Sequence, residues 1–111
     1  MPMGERSDNL AVVPAYNETA SIDAVLDDIA ANAPGWDVVV IDDGSTDDTA
    51  QLVRRRGVSV VRMPFNLGIG GAVQAGFTYA LEQGYSRMVQ IDGDGQHDAS
   101  QLRRLEAAMD A

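Results

Sequence analysis

At 111 residues the chain amounts to one domain, and with 45% apolar but only 5% aromatic residues its core must be built from Val, Ile, Leu and Ala. A formal charge of −9 excludes a nucleic-acid binder, whose phosphate contacts need a basic face, and the lack of cysteine excludes disulfides and thiolate metal sites and fits a cytoplasmic protein. No stretch approaches the ~20 apolar residues of a membrane span, and the first residues lack the apolar centre of a signal peptide.

Residues 1–9 read as a flexible N-terminus, and an ordered domain is expected over 10–111. Leu10–Val13 is a short apolar strand, after which Asn17 reads as a helix N-cap. Ile22, Val25, Leu26, Ile29, Ala30 and Ala33 follow the spacing of one helix face, ended by Pro34-Gly35. Val38–Ile41 is apolar and β-branched throughout, as a strand buried on both faces requires. Gly44-Ser45-Thr46 turns into a helix over Asp47–Arg56, acids at its positive end and Arg at its negative end, with Gly57 as C′ cap. Val58–Val61 is a third strand. The glycine-rich turn over residues 66–71 opens a third helix, which Gly84 closes. Met88–Ile91 is the fourth strand, and Asp98 with Gln101 three residues on would cap a last helix.

Strand–helix alternation predicts an α/β, Rossmann-like three-layer sandwich with a mostly parallel sheet in the order 3-2-1-4. Ligands of such sheets bind beyond the carboxyl ends of the strands. Each unusual segment falls at one of those ends: Pro14–Glu18, Asp42–Thr46, Phe65–Gly71 and Asp92–Asp98.

Residues i and i+2 of a strand point the same way, so Asp92 and Asp94 can aim at one point beyond the sheet, where hard carboxylate oxygens suit Mg²⁺ or Mn²⁺. The alternative is a solvated acidic turn. At the exit of the first strand, Tyr16 can stack on a base and Glu18 can accept from ring N–H groups, although a plain turn with an N-cap explains the same residues. Asp42 and Asp43 repel one another at the second exit, and a carboxylate there can accept from a ribose hydroxyl or a base. If the clusters Asp42/Asp43, Asp47/Asp48 and Asp92/Asp94/Asp98 converge, a phosphate-bearing ligand needs a cation to enter. Gly68, Gly70 and Gly71 do not make a nicotinamide-cofactor fingerprint: they follow the third strand, and Val73 takes the place of the last glycine. They suit either close passage of a phosphate or neighbouring loop, or plain turn geometry. His97, the single histidine, fits a hydrogen-bonded bystander as well as a base. Arg54–Arg56 reads as a solvated helix end or a contact for anionic lipid headgroups.

Together, Val12–Glu18, Asp42–Asp47, Asn66–Gly76 and Asp92–His97 resemble the inverting family 2 glycosyltransferases of GT-A fold, most closely the dolichyl- or polyprenyl-phosphate mannosyl/glucosyl transferase branch. The resemblance implies that Pro14, Tyr16, Glu18, Ile41 and Asp43 hold the nucleoside of a nucleotide-diphosphate sugar of GDP-mannose or UDP-glucose type. It makes Asp92 and Asp94 the catalytic Asp-x-Asp pair that binds Mg²⁺ or Mn²⁺ and, through it, the diphosphate. Gly93 would touch the ligand through its backbone, and Gln96 would add a metal ligand. The implied acceptor is a lipid phosphate, at the cytoplasmic or inner membrane face. Family catalytic domains continue beyond the equivalent of Ala111, so the resemblance implies a truncated, donor-binding half. A homo-oligomer or partner subunit would then supply the acceptor half. The rival expectation is a non-catalytic nucleotide-binding or interaction module. A receiver-type phosphorylation domain is disfavoured, because every basic residue of the chain is Arg and none is the Lys such domains carry.

Overall fold

A computed structural model describes residues 7–93. The elements in chain order are β1 (Asn9–Ala15), α1 (Ile22–Asn32), β2 (Asp37–Asp42), α2 (Thr49–Arg55), β3 (Ser59–Arg62), α3 (Ile69–Gln83) and β4 (Arg87–Gln90). The strands form one parallel sheet in the order β3-β2-β1-β4, as the alternation predicts. Val12 pairs with Val39 and Val13 with Val40. Ala11, Val13 and Val40 point into a core with Ile22, Leu26 and Ile29 of α1 and Val53 of α2. Leu10, Val12, Val39 and Ile41 point the other way, onto Ala72 and Ala80 of α3. Three layers follow from that alternation.

All seven residues of β1 are buried, whereas the edge strands β3 and β4 are partly open. Pro14 sits in this central strand, where a missing N–H would ordinarily leave an acceptor unpaired. Its carbonyl accepts from Gly93 N–H (3.2 Å), so its ring nitrogen faces the β4 side as well. The β1–β4 ladder stops at Val12↔Gln90, and beyond it Ile91 N–H and Gly93 N–H still bond to the Val12 and Pro14 carbonyls.

The boundaries differ from expectation in several places. The N-terminal stretch is fixed from Ser7 onward, since Ser7 Oγ accepts from Asn9 N–H and the Asp8 carbonyl accepts from Ser86 and Arg87 N–H; residues 1–6 lie outside the described residues. Asn17 is not a helix cap. It adopts a positive φ of 53° in the β1 exit, and α1 begins at Ile22 after a turn. Ser21 holds the N-cap place of α1 without a capping side-chain bond, because its hydroxyl is used elsewhere. Ala30, on the expected apolar stripe, is exposed. Helix α2 starts at Thr49 rather than Asp47, whose carboxylate instead accepts from Thr49 N–H at 3.0 Å. The expected helix after Asp98 lies outside the described residues.

Helix α3 lies so close to β1 that a Cβ on Gly76 would come within 2.4 Å of Val12 Cγ1. Val12 is fully buried and β-branched, so it has little room to rotate away. Helix propensity favours Gly76→Ala by about 1 kcal/mol, but overpacking costs about 1–3 kcal/mol. We expect urea unfolding of Gly76→Ala to show a net loss of up to about 2 kcal/mol. Combining it with Val12→Ala should cost less than the sum of the two single changes, the mark of a direct clash.

Candidate functional site

The four strand exits meet above the carboxyl edge of the sheet, stitched by side chains far apart in sequence. From the first exit, Asn17 N–H donates to Ser45 Oγ (2.9 Å), and Asn17 Oδ1 accepts from Thr46 N–H (2.8 Å). Glu18 N–H donates to Thr49 Oγ1 (3.0 Å), and that hydroxyl donates in turn to the Asp47 carboxylate. The second and third exits are joined by Asp43. Its two carboxylate oxygens accept from Leu67 N–H and Gly68 N–H, each at 2.8 Å, while Asn66 Nδ2 donates to the Asp43 carbonyl (3.2 Å). Gly44 lets the two loops touch: at φ +78°, any Cβ there would stand 2.5 Å from Asn66 N. The fourth exit returns to the first through Gly93, whose carbonyl accepts from Ser21 Oγ at 2.7 Å.

The acids of the second exit do not converge with Asp92. Asp42 is wholly buried, its Oδ1 accepting from Ser45 N–H and its Oδ2 lying 3.6 Å from Arg62 Nε. Asp43 is committed to the 66–68 loop, and Asp47 to Thr49. Among the described residues no three acidic or histidine side chains group closely enough to hold a metal ion. Repulsion between adjacent acids is therefore relieved locally, by a guanidinium on one side and backbone N–H groups on the other.

Two hollows lie over the exits. One, of about 170 Å³, is lined by Pro14, Tyr16, Asp43, Asn66 and Ile69 among others. The second, of about 410 Å³, is lined by Pro14, Tyr16, Glu18, Ile69, Gln90, Asp92 and Gly93. Tyr16, 44% exposed, lines both, as do Pro14 and Ile69. A larger hollow of about 500 Å³ opens at the opposite end of the sheet, but its walls are mainly apolar and its one cation, Arg56, is paired with Asp23 and Asp27. Chemistry rather than size selects the strand exits.

Of the sequence-predicted residues, Pro14, Tyr16, Glu18, Asp43, Asp92 and Gly93 come together around these two hollows. Ile41 does not: it is fully buried against the α3 face and lines neither. Asp94, Gln96, His97 and Asp98 lie outside the described residues. Sequence reasoning missed Gln90, whose Nε2 donates to Asp92 Oδ1 (2.8 Å); strand periodicity of two could have found it. It also missed Ser21, Ser45 as a bond partner and Thr49, for which no periodic signal exists.

Two consequences are measurable. Slight desolvation pushes the Asp47 pKa up, but hydrogen bonds from the Thr49 hydroxyl, Thr49 N–H and Thr19 outweigh it and hold the carboxyl below the usual range. Its stabilising contribution is thus present above the ordinary carboxylate pKa and lost as pH falls through the lowered value. Carboxyl NMR titration of Thr49→Val should find the Asp47 midpoint moved up toward that of a free aspartate. Asp43→Asn leaves one acceptor oxygen for two loop N–H groups; we expect a stability loss of about 1.5–3 kcal/mol and faster amide exchange at Leu67 and Gly68.

Comparison with known proteins agrees with this architecture. The model of the family described as Glycosyl transferase family 2 matches residues 10–111. The undecaprenyl-phosphate mannosyltransferase of Micrococcus luteus is 38% identical over 105 residues, covering 90% of this chain and 43% of that protein. Residues 1–349 of S. aureus TarS, solved with UDP-GlcNAc, superpose with a TM-score of 0.74 at 27% identity, over 92% of this chain and 31% of the other. A mannosyltransferase from Pyrobaculum calidifontis, solved with GDP-Man and Mn²⁺, gives a TM-score of 0.67 at 26% identity, over 82% and 28% respectively. The chain thus spans less than half the length of each of these proteins. With the parallel 3-2-1-4 sheet and a family match over residues 10–111, the chain belongs to glycosyl transferase family 2.

Proposed function

We propose that this chain forms the donor-binding part of an inverting glycosyltransferase. It takes a nucleotide-diphosphate sugar together with Mg²⁺ or Mn²⁺ and passes the sugar to a polyprenyl phosphate at a membrane surface. The observation that carries this reading is the pair of hollows over the strand exits that share Tyr16 in their linings, a small one that includes Asp43 and a larger one that includes Glu18 and Asp92. A flat base suits the smaller space against the Tyr16 ring. The sugar diphosphate needs the wider and more polar one.

The larger hollow fits a hard divalent cation by the chemistry of its lining. Asp92 offers carboxylate oxygens, and Gln90 orients that carboxylate. Asp92 would hold the ion with Asp94 and Gln96. When bound, the cation supplies positive charge for the departing diphosphate. The remaining groups bind and orient. Pro14 and Gly93 fix the floor of the cleft through one backbone hydrogen bond, and Tyr16 sets the angle between base and diphosphate. In the transfer, an acceptor phosphate oxygen forms its bond to the anomeric carbon on the face opposite the diphosphate. The bond to the diphosphate oxygen breaks, and the nucleoside diphosphate leaves with the electron pair, inverting the centre. An acceptor that is already anionic needs no strong general base.

The lipid-phosphate acceptor is supported by the Micrococcus luteus relative, and the donor class and metal by the two nucleotide-sugar complexes. Among the described residues no helix is long and apolar enough to cross a membrane, so the acceptor would be met at the bilayer surface.

Calorimetric titration of GDP, UDP, GDP-mannose and UDP-glucose, each with Mn²⁺ and with chelator, tests the reading. We expect one nucleotide series to bind, more tightly with Mn²⁺. Asp92→Asn should weaken that binding about tenfold or more, the loss of one charged partner, while binding in chelator is unchanged. A chain that takes up none of the four ligands under either condition is not a donor site.

A further inference from the structure

We propose that Ser21 is a positioning residue that sets the spacing between the nucleoside end and the metal end of the donor site; the proposal rests on the reading just given. Ser21 stands at the N-cap place of α1 yet makes no capping side-chain bond. Its hydroxyl instead faces two acceptors from two different strand exits: Glu18 Oε2 at 3.0 Å and the Gly93 carbonyl at 2.7 Å. One hydroxyl proton serves both, and the shorter contact is the one to Gly93, 72 residues away in sequence.

The consequence follows from where these acceptors lie. Glu18 and Gly93 both line the larger hollow, on either side of the place assigned to the diphosphate. Gly93 is the residue between the two aspartates of the Asp-x-Asp pair. Its N–H is held by the Pro14 carbonyl (3.2 Å) and its carbonyl by Ser21, so both polar groups of this peptide segment are anchored to the β1 exit and the start of α1. Glu18 is fixed from behind as well, its N–H bonded to Thr49 Oγ1. Loss of the Ser21 hydroxyl would leave the backbone bond from Gly93 N–H to the Pro14 carbonyl but remove the side-chain link between the Glu18 carboxylate and the Gly93 carbonyl. A ligand that bridges the two sides, through a metal on one and a nucleoside on the other, would lose affinity. A ligand held by the nucleoside side alone would lose far less.

The experiment uses the full 111-residue chain as wild type, Ser21→Ala and Ser21→Thr, with two readouts. Affinity for GDP and UDP is measured in Mn²⁺ and in chelator, and amide exchange at Gly93 is measured without ligand. Ser21→Ala should reduce the ratio of Mn²⁺ to chelator affinity about tenfold, with the chelator value changed less than about twofold, and should speed Gly93 exchange while β1 amides stay as protected as in wild type. Ser21→Thr, which keeps the hydroxyl, should restore both. An unchanged ratio in Ser21→Ala, or an equal loss with and without Mn²⁺, overturns the positioning role. So does Ser21→Thr behaving like Ser21→Ala. If wild type binds neither nucleotide while Gly93 exchange still responds to Ser21→Ala, the donor-site reading has failed, and the Ser21 link is reduced to a structural tie.

Discussion

Everything in this fold is referenced to one strand buried on both faces. From Asn9 to Ala15 strand β1 is buried, because α1 and α2 cover one face of the sheet and α3 the other. A strand so placed can carry no charge and few side-chain hydrogen bonds along its length, so polar function is displaced to its end. Pro14 marks that end on the β4 side. By withholding an N–H it stops the ladder at Gln90 and hands the next acceptor, its own carbonyl, to Gly93. The same residue that terminates pairing therefore fixes where the Asp-x-Asp turn begins.

The acidic character of the exits is managed by local commitment. Asp42, Asp43 and Asp47 each have their own partners: a guanidinium and a turn N–H, two loop N–H groups, and a threonine. Backbone N–H groups that donate to a carboxylate make charge-assisted hydrogen bonds, stronger than neutral ones. The excess negative charge of the chain thus need not oppose folding where it is densest. Asp92 differs, having an amide from Gln90 to orient it and a place on the wall of an open hollow.

The fold was legible because burial imposes periodicity. The unbroken apolar run at Val38–Ile41 and the four- and three-residue spacing of Ile22, Leu26 and Ile29 follow from two-sided and one-sided burial. The four exits were legible because Pro, Gly and paired Asp interrupt those patterns. What escaped was the wiring between exits. Asn17 carries the composition of a helix cap but bonds across to Thr46, 29 residues on, and Asp43 suggests a ligand acceptor but first holds a loop 24 and 25 residues away. Such contacts depend on which strands lie side by side, which no local spacing encodes. Ile41 is placed differently from its neighbours in the motif: strand alternation turns its side chain into the core.

The stitching has an energetic logic that bears on binding. A single neutral hydrogen bond contributes about 0.5–1.5 kcal/mol net, too little for Ser45, Thr49 or Ser21 to matter much to global stability alone. Their effect is on where segments sit. Loop segments left independent would have to be ordered when a ligand arrived, at about 1–2 kcal/mol per residue fixed, and that cost would come out of affinity. Here the first exit is tied to the second, the second to the third and the fourth back to the first before any ligand is present. The sheet supplies a rigid base, the hydroxyls and Asp43 fix the separations, and the hollow around Tyr16 is already formed. A cleft assembled in this way can spend most of its interaction energy on the ligand rather than on its own ordering.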